Sequence, residues 1–212
     1  AFVSCGGGEA DSGVTECEAG FRLFEHEKLF RGPVCIPEKA ERIVTLGSSV
    51  ETLAALDRAP AGSQARFIED IGENFPDFAE VLAETADIGT PPNLESISAI
   101  NPDLIVGTTR EGEESYRQLS EIAPTVLYDF TDSSEWKNLA RFVADAVDEA
   151  EGMAQLFDEY ETAVSNIHTE LEANSVDPAV SIMRVRPGRL QVYLPGSFSG
   201  TVVEDVGLRR PD

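Results

Sequence analysis

Histidine is nearly absent from this chain. Only His26 and His168 occur in 212 residues. A Ser-His-Asp arrangement therefore has no good general base, and a bare zinc or manganese ion has no histidine cluster to hold it. No GxxxxGK(S/T) or GxGxxG stretch is present, which excludes the usual phosphate cradles. Gly196-Ser-Phe-Ser-Gly200 has the outline of a nucleophile elbow, but Phe198 stands where that motif needs serine. No apolar run reaches the roughly 18 residues that a membrane-spanning helix requires. Positive charge is scarce too. Sixteen basic residues face 39 acidic ones, for a net charge of −23, and that field repels nucleic acid and anionic lipid headgroups. Only Lys28, Lys39 and Lys137 are lysines, a bias found in chains from high-GC or salt-adapted sources. Against these shortages, 42% hydrophobic content is ample for one large core or two modest ones.

The most informative stretch is residues 86–109. Pro91 and Pro92 cannot lie inside a helix or a central strand, so residues 89–92 form a stiff exposed loop. Asn93 is placed to cap the helix that follows. Leu94, Ile97 and Ile100 recur every three positions, which gives a short amphipathic helix, and Asn101-Pro102 ends it. Residues 103–107 then form a compact β-branched run without polar alternation, the pattern of a strand buried on both faces in a parallel sheet. Residues 108–112 are expected to open a loop. In open α/β sheets ligands bind beyond the carboxyl ends of the strands, so Thr108 marks a candidate site.

The string GTPPNLESISAINPDLIVG resembles the motif of the substrate-binding proteins that serve bacterial ferric-siderophore, haem and cobalamin ABC transporters. PEKAERIVTLGSSVETLAAL resembles that family's opening strand, small polar turn and helix, although Asp57 replaces the usual glycine after the helix. VSIMRVRPGRLQVYLPGSFSGTVVEDVGLRRP resembles its entry into a second lobe. The resemblance implies an α/β fold: the two-lobe, helical-backbone (class III) periplasmic-binding-protein architecture, with a parallel sheet in the first lobe, a long interlobe helix and a second lobe only begun here. The family's lobes are of similar size, so about a hundred or more further residues are expected.

In the order of the chain, residues 1–16 are expected to be a lipoprotein tether and 17–40 an N-terminal β-ribbon. Residues 41–148 form the first α/β lobe, 149–174 the interlobe helix and 175–212 the start of the second lobe. The tether is read from Ala1-Phe-Val-Ser-Cys5 and the glycines behind it, which resemble the tail of a bacterial lipoprotein signal with Cys5 lipidated. Phe2 departs from the usual leucine. Cys17 and Cys35 remain as an even pair, and in an oxidising compartment they are expected to form a disulfide. Metal binding by these two with His26 is the alternative, although their spacing matches no zinc pattern.

Within the first lobe, residues 42–46 read as a strand followed by a helix through Val50, Leu53 and Leu56. A weaker strand is expected over residues 64–68, and a short helix after Pro76. Residues 114–122 and 125–128 give a further helix and strand, and the βαβα order implies a parallel sheet. Trp136, Leu139, Phe142 and Val143 share a helical face, and a second face runs from Met153 to Leu171. A helix of roughly 25 residues is about 37 Å long, enough to join two lobes or to pack along one core. Residues 180–185 and 190–193 read as a β-hairpin around residues 186–189, and residues 201–206 as a helix after a loop at 196–200.

The resemblance implies binding and delivery without catalysis, of a metal already wrapped in a chelator, and no further cofactor. Bulky, often anionic ferric siderophores call for guanidinium groups and aromatic rings. The expected contacts are Ser49, Thr90, Pro91, Thr108, Arg110, Tyr116 and Tyr128 from the first lobe, with Arg184, Arg186 and Tyr193 from the second. Glu95 falls on the residue that docks to the transporter permease in that family. An extracytoplasmic monomer is expected, held to the membrane by its lipid only. Cobalamin or haem is the alternative ligand. From another class, an α/β enzyme fragment (hydrolase or transferase) would betray itself by turnover that depends on His168 or a serine.

Overall fold

The structure, a computed structural model, describes residues 16–174 and 177–211. The expected lipidation site, Cys5, lies outside the described residues. Two compact units emerge: residues up to 129 together with 142–148, and residues 130–141 together with 149 onward.

The first unit opens with a two-stranded antiparallel ribbon, β1 (Phe21–Phe24) and β2 (Val34–Pro37). The Cys17–Cys35 disulfide closes it, with the Cα atoms 5.6 Å apart. Next come β3 (Ile43–Thr45), α1 (Ser49–Ala55), β4 (Gly62–Ser63), α2 (Ala65–Asn74), α3 (Pro76–Val81) and β5 (Ala86–Asp87). They are followed by α4 (Leu94–Ile100), β6 (Leu104–Thr108), α5 (Thr109–Gly112), α6 (Tyr116–Ile122) and β7 (Thr125–Tyr128). The strands form one parallel sheet in the order β5-β4-β3-β6-β7.

Every residue of β3, β6 and β7 is buried, as uninterrupted apolar runs require when helices cover both faces of a sheet. At Gly107 an added Cβ would lie 2.5 Å from the Leu46 side chain, so glycine lets β6 pass close to the end of β3. The α4 helix forms as its residues dictate. The Asn93 side chain accepts a hydrogen bond from the Ser96 amide at 2.9 Å, and Asn101 ends the helix in the left-handed region at φ 52°, where asparagine is tolerated. Asp103 then accepts from the amides of Glu41 and Arg42, which ties the start of β3 to the start of β6.

An edge strand exposes unpaired amides and carbonyls unless something covers it. Here the segment between β1 and β2 covers β7. The Phe30 amide donates to Leu127 O at 2.9 Å and the Asp129 amide to Lys28 O at 2.8 Å, while Leu29 pairs with Tyr128. Behind this edge Phe24 and Tyr128 each meet Phe142 edge to face, with ring centroids 5.2 and 5.3 Å from it.

The second unit includes the start of α7 (Trp136–Ala146), the 24-residue α8 (Ala150–Ala173), the hairpin β8 (Met183–Arg186) with β9 (Arg189–Val192), and α9 (Phe198–Asp205). Trp136 is its hub. The indole N–H donates to Thr201 Oγ1 at 3.0 Å, and its ring meets Phe157, Tyr160 and Phe198. Asp205 accepts from Lys137 at 2.6 Å and from the Tyr160 hydroxyl at 2.5 Å.

Four expectations shift. Residues 64–68 are no strand: β4 ends at Ser63, and Gln64 begins the turn into α2. Residues 109–112 form one helical turn, α5, where a loop was expected. The hairpin turn is only Pro187-Gly188, with Gly188 at φ 72°, because a two-residue turn matches the twist of paired strands. The last helix starts at Phe198 and takes in residues 198–200, because Ser197 accepts from the Gly200 amide and caps it there.

Candidate functional site

In the sheet order β5-β4-β3-β6-β7, the chain builds outward from β3 through β4 to β5, then crosses back through α4 to lay down β6 on the other side. That reversal is the topological switch point, where ligands of open α/β sheets bind beyond the carboxyl ends of the strands. The side chains gathered there are polar. Gly47, at φ 65° just past β3, donates its amide to the buried Gln64 Oε1 at 2.9 Å. Thr108, at the end of β6, donates its hydroxyl to Glu111 Oε2 at 2.8 Å. Arg66, in the first turn of α2, meets Glu111 Oε1 at 3.2 Å. A Cβ at position 47 would come within 2.7 Å of the Glu111 carboxylate. Glycine is needed at Gly47 both for its backbone conformation and for the space Glu111 fills.

Of the residues expected to meet ligand from the first lobe, Thr108 lies at the switch point. Ser49 starts α1 just past Gly47, but its hydroxyl is buried and, like that of Ser63, has no hydrogen-bond partner among the described residues. Thr90 and Pro91 are exposed on the turn before α4, and Arg110 is exposed on α5. One aromatic assignment is corrected. Tyr128 is fully buried, its ring packed against Phe142 and near His26, because the ribbon covers the edge of β7. It is a core residue and offers no face to a ligand. Tyr116 is half-buried, meets Phe30 edge to face at 5.3 Å and packs against the separate cluster that includes Leu119 and Leu127. Burial pushes its phenol pKa up, against the opposing pull of Ser120 and Arg31.

In the second unit, Arg184 and Arg186 are exposed on β8. Across the hairpin Arg184 pairs with Gln191 and Arg186 with Arg189. Arg189 therefore adds a third guanidinium to one face, and like charges directly opposite repel unless solvent or an anion intervenes. Tyr193 is partly exposed, and its carbonyl accepts from Arg210. A depression of about 420 Å³ in this unit is lined by His168, Leu171, Glu172, Gly207 and Leu208. None of the expected contacts lines it. Glu95 is exposed in the first turn of α4.

Sequence reasoning missed Gln64, Arg66 and Glu111. The available signal was the polar Gly-Ser-Gln of residues 62–64, which ends a strand and places the next turn of helix, with Arg66 on it, at the sheet's carboxyl edge.

A parallel sheet with its helices and a switch point lined by polar side chains has the layout of an α/β ligand-binding unit. The family model described as periplasmic binding protein matches residues 43–209, and the chain belongs to that family. The probable siderophore-binding lipoprotein YfiY of Bacillus subtilis is 29% identical over 84% of this chain and 54% of its own length. The achromobactin-binding periplasmic protein of Dickeya dadantii is 28% identical over 79% of this chain and 55% of its own. Among solved structures, Staphylococcus aureus SirA complexed with staphyloferrin B superposes with a TM-score of 0.73 at 26% identity, over 90% of this chain and 65% of that one. The chain spans about half the length of the curated relatives it matches.

Proposed function

We propose that this protein captures a ferric siderophore outside the cytoplasm and hands it to an ABC importer, with no chemistry of its own. The observation that carries this reading is the polar switch point of a sheet whose family relatives are named for siderophores and iron chelates. Thr90, Pro91 and Arg110 would contact the ligand from the first unit, with the buried Thr108 acting through its hydrogen bond to Glu111, and Arg184, Arg186 and Tyr193 would contact it from the second. The ligand brings its own iron, so no resident cofactor is invoked. Glu95 would meet the permease, Cys5 would carry the lipid, and the protein would work as a monomer. A disulfide between Cys17 and Cys35 suits an oxidising compartment.

The histidines speak against the enzyme alternative. His26 Nδ1 accepts from the Lys28 amide, and His168 Nε2 lies 3.2 Å from the Asp205 carbonyl. Among the described residues, neither hydrogen-bonds a serine, threonine or cysteine side chain. Native mass spectrometry of the intact protein against ferric siderophores, haem and cobalamin tests the reading. Retention of a ferric siderophore is expected, and retention of cobalamin or haem alone would overturn it.

A further inference from the structure

We propose that Arg66 is a further first-unit contact for an anionic iron chelate, beside those named above, and that Glu111 sets the charge this contact presents. The inference rests on the ferric-chelate reading above and adds a residue pair to it. Arg66 and Glu111 come from opposite sides of the switch point. Arg66 follows β4, Glu111 follows β6, and their 3.2 Å ion pair passes beyond the end of β3 between them. Any ligand seated in that crevice has to meet this pair.

The partners are not equally accessible. The Glu111 side chain is 12% exposed and held by the Thr108 hydroxyl, in space that a Cβ at position 47 would invade. The Arg66 side chain is 50% exposed and lies over the Phe67 ring at 4.4 Å. The carboxylate is thus the floor and the guanidinium the surface a ligand touches. One guanidinium nitrogen engages Glu111, and the planar fork has five N–H donors in all, suited to bidentate recognition of a carboxylate. In a chain of net charge −23 the overall field repels an anionic chelate, but salt screens that field over about 8 Å. A local guanidinium therefore decides whether the anion stays. Glu111 offsets part of its charge, which admits less anionic chelates and makes the pair a selectivity setting.

Titration of the intact protein with the anionic ferric dicitrate complex and the cationic ferric desferrioxamine complex tests this. Arg66→Ala should weaken the dicitrate complex by roughly tenfold or more while sparing the cationic complex, and Arg66→Lys should recover only part of the loss. Glu111→Gln keeps an acceptor for the guanidinium but removes the opposing charge. It should tighten the dicitrate complex by about threefold and weaken the cationic one. Equal effects on both complexes, or none, in either variant would overturn the proposal while leaving the ferric-chelate reading in place. A wild-type protein that does not bind the dicitrate complex would also overturn the proposal, whereas the ferric-chelate reading falls only if no ferric siderophore binds.

Discussion

The first unit buries its central strands β3, β6 and β7 on both faces, whereas the hairpin of the second unit exposes both of its faces. In β6 all five residues are buried. In β8 all four are exposed, and Val185 reaches 80% exposure. Both segments are rich in β-branched or apolar residues, so strand propensity does not separate them. The difference lies in their neighbours. β6 has β3 and β7 beside it, whereas β8 pairs with β9 alone. An isolated two-stranded ribbon is marginal in water. The apolar residues Met183, Val185, Leu190 and Val192 share one face of the hairpin, opposite to the arginines. Stability is therefore concentrated in the first unit, and the second presents charge.

Core truncation is the strongest way to break this contrast. Ile105→Ala, in the middle of β6 and fully buried, should cost about 2–5 kcal/mol in urea unfolding. Val185→Ala should stay within about 0.5 kcal/mol. Comparable losses at the two positions would erase the distinction.

A smaller effect is expected for the charge the hairpin presents. Arg184→Ala should weaken binding of an anionic ferric chelate by about 2 kcal/mol in calorimetric titration, provided that the ligand takes the guanidinium out of water. Arg184→Lys should restore part of it. Unchanged affinity would leave the hairpin without a role in binding.

Next is the acid sensitivity of the second unit. Burial raises the Asp205 carboxyl pKa, but hydrogen bonds from Lys137 and Tyr160 and the Lys137 charge outweigh it, so the net shift is downward from 3.8. A lowered carboxylate pKa stabilises the fold above its unfolded value and loses that contribution as pH falls through the folded one. Below pH of about 4 the anchor of α9 should therefore weaken by about 1 kcal/mol, read through the fluorescence of Trp136. Asp205→Asn should abolish this step. Its persistence in that variant would place the titration elsewhere.

Least visible in the folded protein should be Glu95→Lys. Exposed on α4, it should change stability by no more than about 0.5 kcal/mol and leave ligand affinity intact, yet stop iron uptake in cells. Normal uptake would remove Glu95 from transporter docking.

How far the sequence was legible follows the same contrast. β3, β6 and β7 could be read because an unbroken apolar run has one stable use in an α/β chain. β4 could not, since Gly62-Ser63 carries no hydrophobic pattern and is a strand only because β3 and β5 flank it. Thr108 was legible as the end of a readable strand. The Arg66–Glu111 pair was not, because its members lie 45 positions apart and nothing local joins them. Tyr128 misled for the opposite reason. A tyrosine at a strand end looks available until the ribbon, distant in sequence, closes over it.

The central claim, capture of a chelated ferric ion, is tested most directly by calorimetric titration of the intact protein with one siderophore in its iron-loaded and iron-free forms. The iron-loaded form should bind saturably at one site per protein and the iron-free form much more weakly, since only the metal holds the chelator in the compact shape a preformed site recognises. Equal binding of the two forms, or no binding of any ferric siderophore, would contradict it.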